Sequence, residues 1–324
     1  MWMRQGVQEA RKGSWRTPLT YGHRLMRGSP PPEGRARRAV MALARVSRAY
    51  GHPRRVLHVG TSAGGLLVVT QDDEGRRYLQ FGWLGASQSV VWPGFPLRLE
   101  SDYTRAMVAA LAFVAEPRRI LVVGVGGGAV PMFLHAVLPQ AHIDAVDIHP
   151  EVLDVARRYF GFREDRTLHA HVADARRFIA MPGPSYDAIL LDAFGARGIP
   201  PPLTTREFLL ATRARLAPGG VVVGNVLRLP GRRTSSMART WQESFAQLHA
   251  FTVQESSNQV LVGLSDAGRR SQAELNARAE QLAREWGVSF SLRTRLARRY
   301  QGSPQPEQNA RRAVVHALPL RRRD

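Results

Sequence analysis

The stretch Ile120-Leu121-Val122-Val123-Gly124-Val125-Gly126-Gly127-Gly128-Ala129-Val130-Pro131 constrains the fold of this chain more than any other. Four apolar residues, three of them β-branched, predict a buried strand; the glycines then supply a turn that side chains would obstruct, and an apolar run resumes as a helix. A strand that passes into a helix through glycine brings backbone amides close to whatever binds at the helix start, which is how many proteins hold nucleotides. A tight strand-to-helix turn needs glycine with or without a ligand, so the motif alone leaves both readings open.

Downstream, strands and helices alternate, which predicts a doubly wound, mostly parallel α/β sheet. His142-Ile143-Asp144-Ala145-Val146-Asp147 reads as a second strand, ending in an acid about 20 residues past the first glycines, where a carboxylate can take both ribose hydroxyls. Glu151 to Phe160 follows as a helix, and the strand from Thr167 ends at Asp174-Ala175. Tyr186-Asp187-Ala188-Ile189-Leu190-Leu191 leads to Asp192, and Leu216-Ala217-Pro218-Gly219-Gly220 reads as a helix stop and turn before a fifth strand, Val221 to Asn225. Ser235 to Leu248 reads as a helix, Phe251-Thr252-Val253 and Gln259 to Gly263 as a closing antiparallel pair, and Arg269 to Trp286 as an amphipathic helix. Ligands in such sheets sit at the carboxyl ends of the strands, so Asp147, Asp174 and Asp192 are expected to converge on one crevice.

Upstream of the glycines the periodicity is that of short strands. Val56 to Val59, Gly65 to Thr70 and Arg77 to Phe81, joined by glycine-bearing turns such as Asp72-Asp73-Glu74-Gly75, predict a small antiparallel sheet. A further strand-like segment, Gly85 to Val91, leads to a helix from Tyr103 to Leu111, and Arg35 to Tyr50 reads as a short surface helix after a Pro/Gly-rich linker. The organisation expected is a basic arm over 1–55, a β-hairpin domain over 56–100, a nucleotide-binding α/β domain over 101–265, and a C-terminal helix with an Arg-rich tail over 266–324.

Charge matters here through its placement. Of a net +20, residues 1–55 carry 13 Lys/Arg against 2 Asp/Glu and residues 285–324 carry 9 against 3, so the basic excess belongs to the two ends. Such ends are expected to meet nucleic acid or another anionic surface, or simply reflect an arginine-rich composition. With no cysteine, disulfides, thiol redox chemistry and Cys-based zinc sites are excluded, and a cytoplasmic location fits. No metal site, secretory signal or membrane span is expected. The most apolar window, Leu121 to Leu138, is broken by glycines and Pro131 and suits a βα unit better than a span.

A nicotinamide-binding sheet would explain the glycines and Asp147 but not Asp174 or the Leu191-Asp192-Ala193-Phe194 turn. An S-adenosyl sulfonium site uses all of them, with the glycines against the ribose and amino-acid-like tail, Asp147 on the ribose and Asp174 on the adenine amino group. The hairpin, Gln88-Ser89, Tyr103, the Gly124 to Ala129 loop, Asp147, Asp174-Ala175, Asp192 and Leu216-x-Pro218-Gly219-Gly220 together resemble the spermidine synthase-like family, over about residues 56–265. That resemblance implies a small β domain on a Rossmann-like sheet of the S-adenosylmethionine type. It implies decarboxylated S-adenosylmethionine as donor, a polyamine or other small amine as acceptor, and a homodimer is expected as well. By the same resemblance Gly124, Gly126, Gly127, Gly128, Asp147, Ile148, Asp174, Ala175 and Asp192 contact the donor, and Asp192 with Tyr103 orients and deprotonates the attacking amine. Two positions depart from the family pattern: Gly127 stands where an acid usually holds the donor's amine, and Asp192-Ala193-Phe194-Gly195 replaces Asp-Ser-Ser-Asp. Methyl transfer from S-adenosylmethionine is therefore the alternative, favoured by Gly127 because an acid there would repel the donor's carboxylate. A non-catalytic binding protein on the same fold is the third reading.

Overall fold

The computed structural model describes residues 54–63, 65–81, 87–195, 198–227, 232–253, 258–266, 271–292 and 298–299. The linker, the helix expected over Arg35 to Tyr50 and the tail from residue 300 lie outside the described residues.

The chain first builds a four-stranded antiparallel sheet in the order β1-β2-β3-β4, from β1 (Arg55–Ser62), β2 (Gly65–Gln71), β3 (Arg77–Phe81) and β4 (Ser87–Val91). The β2–β3 turn closes on Asp72, whose carbonyl accepts from the Gly75 amide at 3.1 Å and whose Oδ1 accepts from the amides of Glu74 and Arg76. Gly75 takes a φ of 92°, which explains the glycine at that place.

Helix α1 (Asp102–Ala109) tightens into a 3-10 turn over Ala110–Phe113 and leads to β5 (Arg119–Val123). After it come α2 (Ala129–Val137), β6 (His142–Asp147), α3 (Pro150–Tyr159), β7 (Leu168–Val172), α4 (Ala175–Ala180) and β8 (Tyr186–Leu191). A 3-10 turn at Pro201–Leu203, α5 (Arg206–Ala214), β9 (Leu216–Leu227), α6 (Arg232–Ser244), β10 (Gln247–Thr252), β11 (Asn258–Leu264), α7 (Gln272–Trp286) and β12 (Arg298–Arg299) complete the order. The eight-stranded sheet runs β12-β10-β11-β9-β8-β5-β6-β7, with β7, β6, β5, β8 and β9 parallel and β11 antiparallel to β9. Strand β5 pairs with β6 on one side and β8 on the other, so the winding reverses there and the crevice opens at its carboxyl end.

Alternation along the strands feeds two cores. Ile120, Val122, Ile143, Ala145, Leu190, Val221, Val223, Val260 and Val262 face one side, packed by α1, α2, α3 and α7. Leu121, Val123, Val146, Ile189, Val222 and Leu261 face the other, packed by α4, α5 and α6. Helix α3 serves both sheets: Leu153 and Ala156 join the main core, while Val152 and Val155, with Phe160 just beyond, pack against Leu67, Val69, Leu79 and Phe81 of the small sheet. That shared helix holds the small sheet beside the glycine turn.

Three of the boundaries that differ from the sequence reading do so because of strand pairing. Helix α6 stops at Ser244 rather than Leu248, because Gln247 to Thr252 pair residue by residue with Leu264 to Gln259 as β10. Strand β10 accordingly starts four residues ahead of Phe251. Leu216 to Gly220, read as a helix stop and turn, already belong to β9, with a register shift opposite Tyr186 to Ala188 absorbing the two glycines. Among the described residues no helix is long and apolar enough to cross a membrane.

Candidate functional site

The glycine turn leaves β5 through Gly124, Gly126 and Gly128, at φ of 92°, 53° and 80°, a region that side chains rarely tolerate. At Gly124 the constraint is also steric, since a Cβ would lie 2.4 Å from the Asp192 carbonyl oxygen. This close approach seats the turn after β8 directly against the loop, and the Asp192 amide donates to the Val123 carbonyl at 2.7 Å. From the opposite side β4 reaches in, and its buried Ser89 accepts the Gly127 N–H on Oγ at 3.0 Å.

Asp147 ends β6 beneath this loop. Its Oδ2 accepts from the Val125 amide and its Oδ1 from the His149 amide, each at 3.0 Å. Burial raises its carboxyl above the ordinary range against the pull of those amide bonds. Ile148, next along, is 58% exposed although large and apolar, and it lines the cavity. Asp174 caps α4 by accepting from the Arg176 amide at 2.9 Å, and its Oδ2 meets the Arg176 guanidinium at 2.8 Å. The Arg176 side chain holds this carboxyl below its usual value.

Asp192 is the electrostatic outlier. Burial pushes its carboxyl up to about 7, opposed by one hydrogen bond, from the Asn225 amide to Oδ1 at 2.8 Å. Asn225, 4% exposed on β9, in turn accepts from Asn258 Nδ2 at 2.8 Å. Tyr103 on α1 shares this environment: burial first, then the Asp192 charge, hold its phenol well above the ordinary value.

These groups line one cavity of about 470 Å³. Of the sequence-predicted residues it brings together Tyr103, Gly124, Gly126, Asp147, Ile148, Asp174, Ala175 and Asp192, with Phe81 and Ser89 contributed by the small sheet. Gly127 and Gly128 stand behind the loop instead. A Cβ on Gly127 would meet Phe160 and Val91 at 3.0 Å and Ser89 at 3.2 Å, and one on Gly128 would meet Phe162 at 2.8 Å. Both were expected to touch the donor as well as to form the turn, and here both make room for the hairpin and the segment after α3. Of the histidines, His149 lies on the cavity wall, while His171 Nε2 lies 2.7 Å from Asp144 Oδ1.

Asn225 and Asn258 are among the residues of the site that escaped the sequence reading. Asn225 carries the same signal as the three acids, a polar group inside an otherwise apolar strand. Asn258 has no such signal, since it opens β11 and acquires meaning only through its contact with Asn225. Chemically, the cavity offers a half-buried proton acceptor, a neighbouring phenol and two further carboxylates around a glycine turn.

Comparison with known proteins gives the following likenesses. Residues 121–222 match a family described as a methyltransferase domain. A polyamine aminopropyltransferase of Vibrio vulnificus is 38% identical over 190 residues, which is 57% of this chain and 63% of that protein. A polyamine aminopropyltransferase of Chromobacterium violaceum is 32% identical over 197 residues, which is 60% of this chain and 76% of that protein. The solved structure of human methyltransferase-like protein 13 in complex with SAH superposes with a TM-score of 0.54 at 28% identity, covering 59% of this chain and 94% of that one. The chain thus spans less than two thirds of the length of the Vibrio vulnificus protein.

Proposed function

The chain belongs to the polyamine aminopropyltransferase family, and from that premise we propose that it moves the aminopropyl group of a decarboxylated S-adenosyl donor onto an amine acceptor. The observation that carries the reading is Asp192: a carboxyl with its proton affinity raised to about 7, beside Tyr103, in the cavity that also holds the glycine turn and Asp147. Transfer from a sulfonium asks little covalent help of a protein, because the departing thioether is neutral and stable. What it asks is in-line positioning and an amine with its lone pair free. A carboxylate near 7 can take the proton of an ammonium as it docks, leaving the nitrogen lone pair free to form the C–N bond while the C–S bond breaks and the neutral thioether departs; an ordinary carboxylate is a far weaker base.

In this reading Asp147 takes the ribose hydroxyls, Ile148 covers one face of the adenine, and Asp174 with Ala175 borders its edge. Tyr103 orients the attacking nitrogen, with Asp192 as base. The acceptor is a small amine of the polyamine kind.

Methyl transfer from S-adenosylmethionine is the second reading, and one observation favours it. The place of the acid that would hold an aminopropyl ammonium is a glycine whose Cβ direction is filled by Phe160, Val91 and Ser89. Calorimetric titration with decarboxylated S-adenosylmethionine, S-adenosylmethionine and the demethylated or depropylated thioether products separates the readings. Tighter binding of the decarboxylated donor is expected. Tighter binding of the carboxylated donor overturns aminopropyl transfer, and binding of none points to a non-catalytic protein.

A further inference from the structure

The two asparagines behind Asp192 form a chain with a direction. An ionised carboxylate only accepts hydrogen bonds, so Asn225 must present its NH2 group to Asp192 Oδ1. Its carbonyl oxygen then points away, toward β11, and accepts from the Asn258 NH2 group. The two strands are locked in antiparallel register, with Asn258 opposite Leu227 and Val260 opposite Asn225, so the amides meet without a loop to carry them. With Asn225 4% exposed, a free flip of its amide would leave a buried group without its partner.

We propose that Asn258 is a positioning residue, which fixes the orientation of the Asn225 amide and thereby biases Asp192 toward its ionised, proton-accepting form. A flipped Asn225 would offer Asp192 its oxygen, and only a protonated Asp192 could bond to it. Asn258 holds the amide in the orientation that favours the base. Among the described residues, the charged and titratable groups that share the cavity with Asp192 are Tyr103 on α1 and, on the other walls, Asp147, His149, Asp174 and Arg176. None of them belongs to the β9–β11 pair, so a change at Asn258 reaches Asp192 through Asn225. The bearing on catalysis rests on the transfer reading above, whereas the proton affinity itself does not.

The test is carboxyl-13C NMR titration of the full chain labelled at aspartate, with the Asp192 signal assigned by its loss in Asp192→Asn. Asn225→Leu removes the direct donor and sets the full effect, an upward shift of the Asp192 midpoint by roughly one unit or more. Asn258→Leu is expected to raise the midpoint by about half of that shift, since the Asn225 amide is then free to turn, and Asn258→Gln to restore it. A midpoint in Asn258→Leu equal to that of the parent, with Asn225→Leu shifted, overturns the proposal. Circular dichroism confirms that each variant is folded; should Asn258→Leu fail to fold, Asn258→Ser replaces it and is expected to raise the midpoint less. If the midpoints move as expected but no donor supports turnover, the relay stands and the transfer reading falls.

Discussion

Replacing Asp192 by Asn should make the protein more stable at alkaline pH while removing its base. The carboxyl's affinity for protons rises from an ordinary value of 3.8 to about 7 in the folded state. The folded chain therefore holds this proton more tightly than the unfolded chain does. That stabilisation is complete below 3.8 and is lost as pH climbs through about 7, where folding must bury an ionised group. Between pH 5 and pH 8.5 the loss covers about two pKa units, or roughly 3 kcal/mol at 1.36 kcal/mol per unit. Contact with water in the cavity makes this an upper bound. Asparagine keeps an oxygen for the Asn225 amide and carries no charge, so Asp192→Asn escapes the loss. Urea unfolding of both proteins at the two pH values isolates the effect, because every other titrating group is common to them. The stability of the variant relative to the parent should rise by up to about 3 kcal/mol on going to pH 8.5. An equal difference at both pH values would show that Asp192 titrates as an ordinary carboxylate, and the argument for it as the base would fail.

Elsewhere, Gly124→Ala combines a φ of 92° with a Cβ 2.4 Å from the Asp192 carbonyl, so it should cost more than about 2 kcal/mol in urea unfolding and abolish donor binding in calorimetry. Ser89→Ala strips the acceptor from the Gly127 N–H; it should lower stability by about 1–3 kcal/mol and speed hydrogen exchange at that amide, and unchanged exchange would contradict the role given to this hydrogen bond. Trp286, 5% exposed on α7 and packed edge-on against Phe133 with ring centroids 5.7 Å apart, should cost about 3–5 kcal/mol when cut to alanine. A cost below about 1 kcal/mol, read by urea unfolding, would mean that α7 is not integral to the main core.

The order of strands and helices was legible in the sequence because glycine and β-branched residues punctuate it. The convergence of Asp147, Asp174 and Asp192 followed from their shared place at the carboxyl ends of β6, β7 and β8. Pairing between distant strands left no local mark. Gln247 and Leu248 continue the polar and apolar pattern of α6 and join β10 only because Leu264 and Gly263 lie alongside. Gly127 illustrates the same limit in the site. Its glycine was readable as a missing acid, whereas the reason for it, the packing of Val91, Phe160 and Ser89, needs three separate segments assembled. Asn258 was silent for the same reason, since its partner Asn225 is 33 residues away.

The most direct measurement of the central claim is mass spectrometry of an amine acceptor, such as putrescine, incubated with the protein and equimolar decarboxylated S-adenosylmethionine and S-adenosylmethionine. The account predicts an acceptor enlarged by one aminopropyl group, with the matching thioether product, and none of either with Asp192→Asn. An acceptor that gains only a methyl group, or one converted equally well by Asp192→Asn, would contradict it.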